Sequence, residues 1–224
     1  MDWDLAIKRN SEALKGIIAA LFAMLGLAGV APAARIPHSL HRAVLRVLRP
    51  AESAVRRLIV IAARGLVVEL APGRPKSAGA PIGKGGGHPR FSFKLFDPRK
   101  SFAELRQPRV RYTRNPPRIH VFPYDSLRPA PPPPAPPPPD GLVNGQRIAR
   151  RLQALKLALD DLPRQARRLA RWRVRRENAP NPKFKSPLRP GPPPGHRKRP
   201  VHQVDEVLAN CHWLAWEALK PDTS

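Results

Sequence analysis

One cysteine, Cys211, stands alone in the chain, so no internal disulfide can staple it and no thiolate cage can hold zinc. Aromatic residues are scarce at 6%, and acidic residues number 16 against 41 lysines and arginines. Few aromatics mean little apolar area to bury per residue. Large tracts therefore lack the means to offset the entropy of ordering the backbone. No set of acids, histidines and nucleophiles falls at catalytic spacing. His212 follows Cys211 directly, and adjacent helical positions point about 100° apart, so the two do not form a thiolate–imidazole pair. "GAPIGKGGG" (79–87) misses the phosphate-loop spacing by one residue, with Gly85 where a hydroxyl is needed. These absences argue against an enzyme, a cofactor, a resident metal and a small-molecule substrate.

What is abundant is proline, 31 residues, and positive charge, a formal net +25 over 224 residues. The charge is uneven. Residues 74–128 carry a net +10 and 141–200 a net +14, whereas 201–224 are net −3. Such a field draws anionic partners: nucleic acid, acidic lipid or acidic protein.

Near the start, "GIIAALFAMLGLAGVAPAA" (16–34) has nineteen residues without a charge, after a short polar N-terminus, 1–15. As a helix it would be about 28 Å long, close to the roughly 30 Å thickness of a bilayer core. A transmembrane helix is the leading expectation. Ala31 and Ala33 also form an A-x-A arrangement typical of signal-peptide cleavage, although Asp2, Asp4 and Glu12 offset the cations expected before a signal. A soluble or interfacial helix is the third reading. Three cations precede the stretch and four arginines follow it up to residue 50, so orientation is nearly balanced. The anchor reading implies a single-pass protein, in a bacterial inner membrane if the source is bacterial, with membrane lipid as a partner. The cleavage reading implies a secreted or periplasmic basic protein.

Residues 37–71 read as amphipathic basic helices. "SLHRAVLRVLRP" sets Leu40, Val44, Val47 and Leu48 against Arg42, Arg46 and Arg49, with Pro50 as its stop. A second helix of 51–71 follows. Beside an anchor, such a pair would lie on an anionic membrane surface, or its apolar faces would pack together. Residues 72–141 are a Pro/Gly-rich linker, expected to be disordered. Within it "RFSFKLF" (90–96) and "RIHVFPY" (118–124) alternate like short strands, and "PAPPPPAPPPP" (129–139) should form a polyproline spacer of about 34 Å.

The segment 142–177 is basic and helical. Ile148, Leu152, Leu155, Leu159, Leu162, Ala166 and Leu169 recur at steps of three and four, a coiled-coil-like stripe that seeks a partner helix. Asp160, Asp161 and Pro163 predict a break into two helices, the second starting near Leu162. The other faces of 147–176 carry Arg150, Arg151, Arg164, Arg167, Arg168, Arg171, Arg173, Arg175 and Arg176, candidate contacts for an anionic partner such as nucleic acid. A Pro-rich basic hinge (178–200) leads to a C-terminal helix (201–220). There Val204, Val207, Leu208, Cys211, Leu214, Ala215 and Ala218 share a face, with Trp213 and Trp216 outside it. Its acidity marks the arginine helix as its partner, within or between chains, through 148–169 and 204–219.

The stretches "LDDLPRQARRLARWRVRR" and "SPLRPGPPPGHRKRPVHQVDEVLANCHWLAWEAL", within 159–219, resemble the C-terminal part of a group of small, uncharacterised basic bacterial proteins. The resemblance implies a bacterial source and a helical tail, and no chemistry. The resulting expectation is a mainly α protein with long disordered Pro/Gly-rich segments. It would have an N-terminal transmembrane helix, amphipathic helices, a C-terminal helical hairpin or small helical domain, and no single compact core. It would act through interaction.

Overall fold

Asp2 begins the first helix by taking the Leu5 N–H on its carboxylate at 3.0 Å, a standard N-cap. In the computed structural model, which describes residues 2–26, 35–70, 92–98, 141–180 and 186–220, that helix is α1, Trp3–Met24. β1 (Arg35–Pro37) leads into α2 (His38–Ala62). β2 (Leu142–Asn144) pairs antiparallel with β1, Ile36 opposite Val143. Then come α3 (Gln146–Asp160), α4 (Leu162–Glu177) and α5 (Gln203–Glu217).

The expected transmembrane helix is not what the stretch 16–26 becomes. α1 runs through the supposed boundary at residue 15 and ends at Met24, and residues 27–34 lie outside the described residues. Among the described residues no helix is long and apolar enough to cross a membrane. Asp4, Lys8, Arg9, Glu12 and Lys15 charge the first part of α1, so only 16–24 are uncharged, about 14 Å of helix, and even that part is one-sided. Leu14, Ile17, Ile18 and Leu21 are buried, whereas Lys15, Gly16, Ala19, Ala20 and Ala23 face outward. Small residues leave little apolar area in water, so an uncharged run can serve a protein core with one face only. Cleavage near Ala33 would remove this whole face from the core.

α2 is one helix where two were expected. Pro50 sits inside it and is buried. A proline in a helix interior forfeits one backbone bond and crowds the preceding turn. Here it is held from outside by the 186–200 loop, where Gly195 packs against the Pro50 backbone. The helix ends at Ala62, well short of residue 71. From Ala51 to Ile61 all but Glu52 are buried, so this half of α2 is a central helix and not one lying on a lipid surface. α1, α3, α4 and α5 all pack against it.

A single apolar cluster joins the five helices and reaches residues 93 and 95, which corrects the expectation of no compact core. Segment 92–98 forms no ladder, yet its alternation holds: Phe93, Leu95 and Asp97 point in, Ser92 and Lys94 out. The other strand-like run, the glycine loop and the polyproline run lie outside the described residues.

The chain breaks at Asp161, which caps α4 by accepting from the Arg164 N–H at 3.1 Å, with Pro163 in the first turn. All seven stripe residues from Ile148 to Leu169 are buried. α5 buries Val204, Val207, Leu208, Cys211, Leu214 and Ala215, but chiefly against α2 and also α1, not against the arginine helix. α2 offers α5 a largely apolar side, crossed only by the Arg57–His212 hydrogen bond, which the arginine-crowded α4 cannot.

Candidate anion-binding surface and its buried support

Two consecutive arginines interrupt the apolar second half of α2, and both are buried. Arg57 is wholly buried. Its Nη2 meets Asp97 Oδ2 at 3.0 Å and its Nη1 lies 3.4 Å from Oδ1, while Nη1 also donates to Ser53 Oγ at 2.7 Å and Ser53 O at 2.9 Å. Nε donates to His212 Nδ1 at 3.1 Å. Arg56 donates through Nε to Lys94 O at 3.0 Å, lies 3.6 Å from both Asp97 and Glu52, and stacks over Phe93. Glu52 receives the Arg151 guanidinium in a bidentate pair at 2.8 and 2.9 Å.

Burial pulls both guanidiniums below the ordinary arginine range; Glu52 and Asp97 oppose this for Arg56, and Asp97 for Arg57. Arginine stays protonated regardless, so the charge must be satisfied inside. Asp97 does this while tying three pieces of chain together: its own segment, α2 and the stretch 186–190. Besides the two arginines, its Oδ2 faces the Arg189 N–H at 3.4 Å and its own N–H donates to Pro187 O at 3.0 Å. Burial pushes the Cys211 thiol up to about 12, leaving it inert at neutral pH.

His212 carries a consequence for pH. Burial first, then the Arg57 charge, pulls its pKa below the usual value. Since Nδ1 accepts from Arg57, its proton sits on Nε2. Below about pH 6.5 the unfolded chain takes up a proton that the folded one resists. Stability should therefore fall as pH drops from 7 toward 5. Urea midpoints should show it, and His212→Asn, which keeps an acceptor without titrating, should flatten that dependence.

The outer face of α4 behaves differently. Arg164, Arg167, Arg171 and Arg175 are exposed and share one face, over about 16 Å at about 1.5 Å per residue. Arg167, Arg171 and Arg175 make no hydrogen bond or ion pair among the described residues, and Arg164 has only Asp161 at 4.0 Å. Arg150 is exposed on α3. The other four sequence candidates each have a contact within the fold. Arg151 holds Glu52, Arg168 donates to Phe93 O at 2.9 Å, Arg173 donates to Ala63 O at 3.2 Å, and Arg176 lies over Trp172. Arginine is long enough to reach back from a helix edge to an uncovered carbonyl, so a wheel overcounts free ones.

An open groove of about 610 Å³ adjoins the row, between the end of α3, the start of α4 and segment 92–98. Among the described residues no cluster of histidine, cysteine and acids could hold a metal ion. The sequence reading did not pick out Glu52, Arg56, Arg57 and Asp97. Its one available signal was an adjacent arginine pair inside "AVRRLIVIAA" (54–63), too polar for a core without a buried counter-charge.

No family model, curated protein or solved structure matches this chain.

Proposed function

We propose that this protein binds nucleic acid through the outer face of α4 and works by interaction, not catalysis. The observation that carries the reading is the row Arg164, Arg167, Arg171 and Arg175, solvent-facing and almost without internal partners. A guanidinium matches a phosphate in charge and fork geometry, and duplex DNA offers about one phosphate per 1.7 Å of axis. The net +25 adds long-range attraction. An anionic lipid surface is the competing partner. An interfacial helix needs an apolar face free to enter lipid, whereas Leu162, Ala166, Leu169 and Ala170 of α4 are buried in the protein.

Four phosphate contacts would give log K against log salt a slope of about −3.6 from α4 alone. Replacing Arg167, Arg171 and Arg175 with Gln in the full chain should flatten the measured slope by about 2.7. The control removes the same charge from exposed positions of α1, with Lys8, Arg9 and Lys15 changed to Gln. Equal slopes for the two triple variants would reject the α4 surface. Stronger retention by anionic vesicles than by DNA or RNA would turn the reading toward membrane.

A further inference from the structure

The groove beside the arginine row has a composition that phosphate binding alone does not call for. Its walls include Arg164, Arg168 and Arg171, but its rim holds Asp160 and Asp161, and Leu157 remains 44% exposed in it. Asp161 has a structural task, capping α4. Asp160 has none: its carboxylate makes no hydrogen bond or ion pair among the described residues. A bare carboxylate beside a polyanion track repels phosphate, and it can only accept hydrogen bonds. What suits that spot is a neutral, flat, partly apolar group bearing N–H donors.

We infer that the groove takes an unstacked base of single-stranded nucleic acid and that Asp160 favours amino-bearing bases over uracil. The inference rests on the proposed nucleic-acid reading and adds its specificity. The backbone would follow Arg167 and Arg171 while one base turns over Leu157 toward Asp160. A cytosine presents its N4 amine to a carboxylate, a pairing that aspartate and glutamate make with base edges. Uracil presents a carbonyl oxygen at the same place, so two acceptors face each other. Splayed bases read on their edges are the usual way proteins select single-stranded RNA sequences. The groove is also large enough for a nucleoside, within the roughly 300–1,000 Å³ common for ligand sites.

Cytosine and uracil oligonucleotides of one length are the probes, since both are pyrimidines of equal size and equal backbone charge. Fluorescence anisotropy with the full chain at fixed salt should show oligo(C) bound about five- to tenfold more tightly than oligo(U), the lower range for one good base contact. Asp160→Asn can both donate and accept, so the gap should close to about twofold or less while overall affinity holds or rises. That variant should fold normally, because Asp160 is exposed at the C-terminal end of α3, where a negative charge is unfavourable. Equal binding of both oligomers by the unaltered chain, a gap that survives Asp160→Asn, or a preference for duplex would overturn the inference. A salt-dependent slope without base preference would leave the α4 reading standing and remove only this one. Absence of binding to any nucleic acid would remove both.

Discussion

Asp97→Ala is expected to destabilise the protein by about 3–5 kcal/mol, the range for breaking a buried ion pair from one side. The substitution leaves Arg57 wholly buried, with Ser53 and His212 as its remaining acceptors among the described residues. It also frees the Arg189 N–H and loosens the hold on segment 92–98. Urea unfolding of the full chain measures the loss. The cost lies in the orphaned cation more than in the removed carboxylate, so a second change should recover part of it. Arg57→Met in the Asp97→Ala background fills similar volume without charge, and paired replacement of buried ions by apolar groups is often close to neutral. A double variant no more stable than the single one would show that Asp97 matters through Arg56 and its backbone neighbours, not through Arg57.

Gly195→Ala should cost about 2–4 kcal/mol by two separable effects, backbone strain and overpacking. Gly195 has φ +87°, a conformation that side chains rarely adopt, and a Cβ there would come within 2.7 Å of Pro50 N and 2.9 Å of Pro50 Cα. Those atoms belong to the middle of α2 and cannot swing aside. Gly191→Ala separates the two effects, since Gly191 also has positive φ, +77°, but open space where its Cβ would stand. It should lose about 1–2 kcal/mol, and the difference reports the contact with α2. If the two variants unfold at the same urea concentration, the loop does not press on Pro50 in solution.

The charges of the arginine surface were countable from the sequence, but their availability was not. Arg167, Arg171 and Arg175 project as a helical wheel would have them, and α4 begins where Asp161 and Pro163 place it. Arg168 sits beside Arg164 on the wheel yet is taken up by Phe93 O, Arg173 falls on the buried side of α4 and reaches Ala63 O, and Arg151 of α3 holds Glu52. Those acceptors are contributed by chain 75 to 110 residues away, so no local pattern announces them. Asp97 is the sharper case. It stands beyond α2 in a stretch that composition alone marks as linker, yet it supplies the counter-charge for two arginines 40 and 41 positions earlier.

The chain by itself determined its last three helices. Periodicity at 3.6 residues, a capping aspartate and prolines at first turns are short-range effects, and they set α3, α4 and α5 and the faces they bury. Tertiary structure alone decided what those faces meet. An uncharged turn gains free energy from leaving water whether lipid or protein receives it, so Ile17, Ile18 and Leu21 could not name their solvent in advance. Likewise Pro50 ends a helix in isolation, and only the packing around α2 allows the helix to run through it.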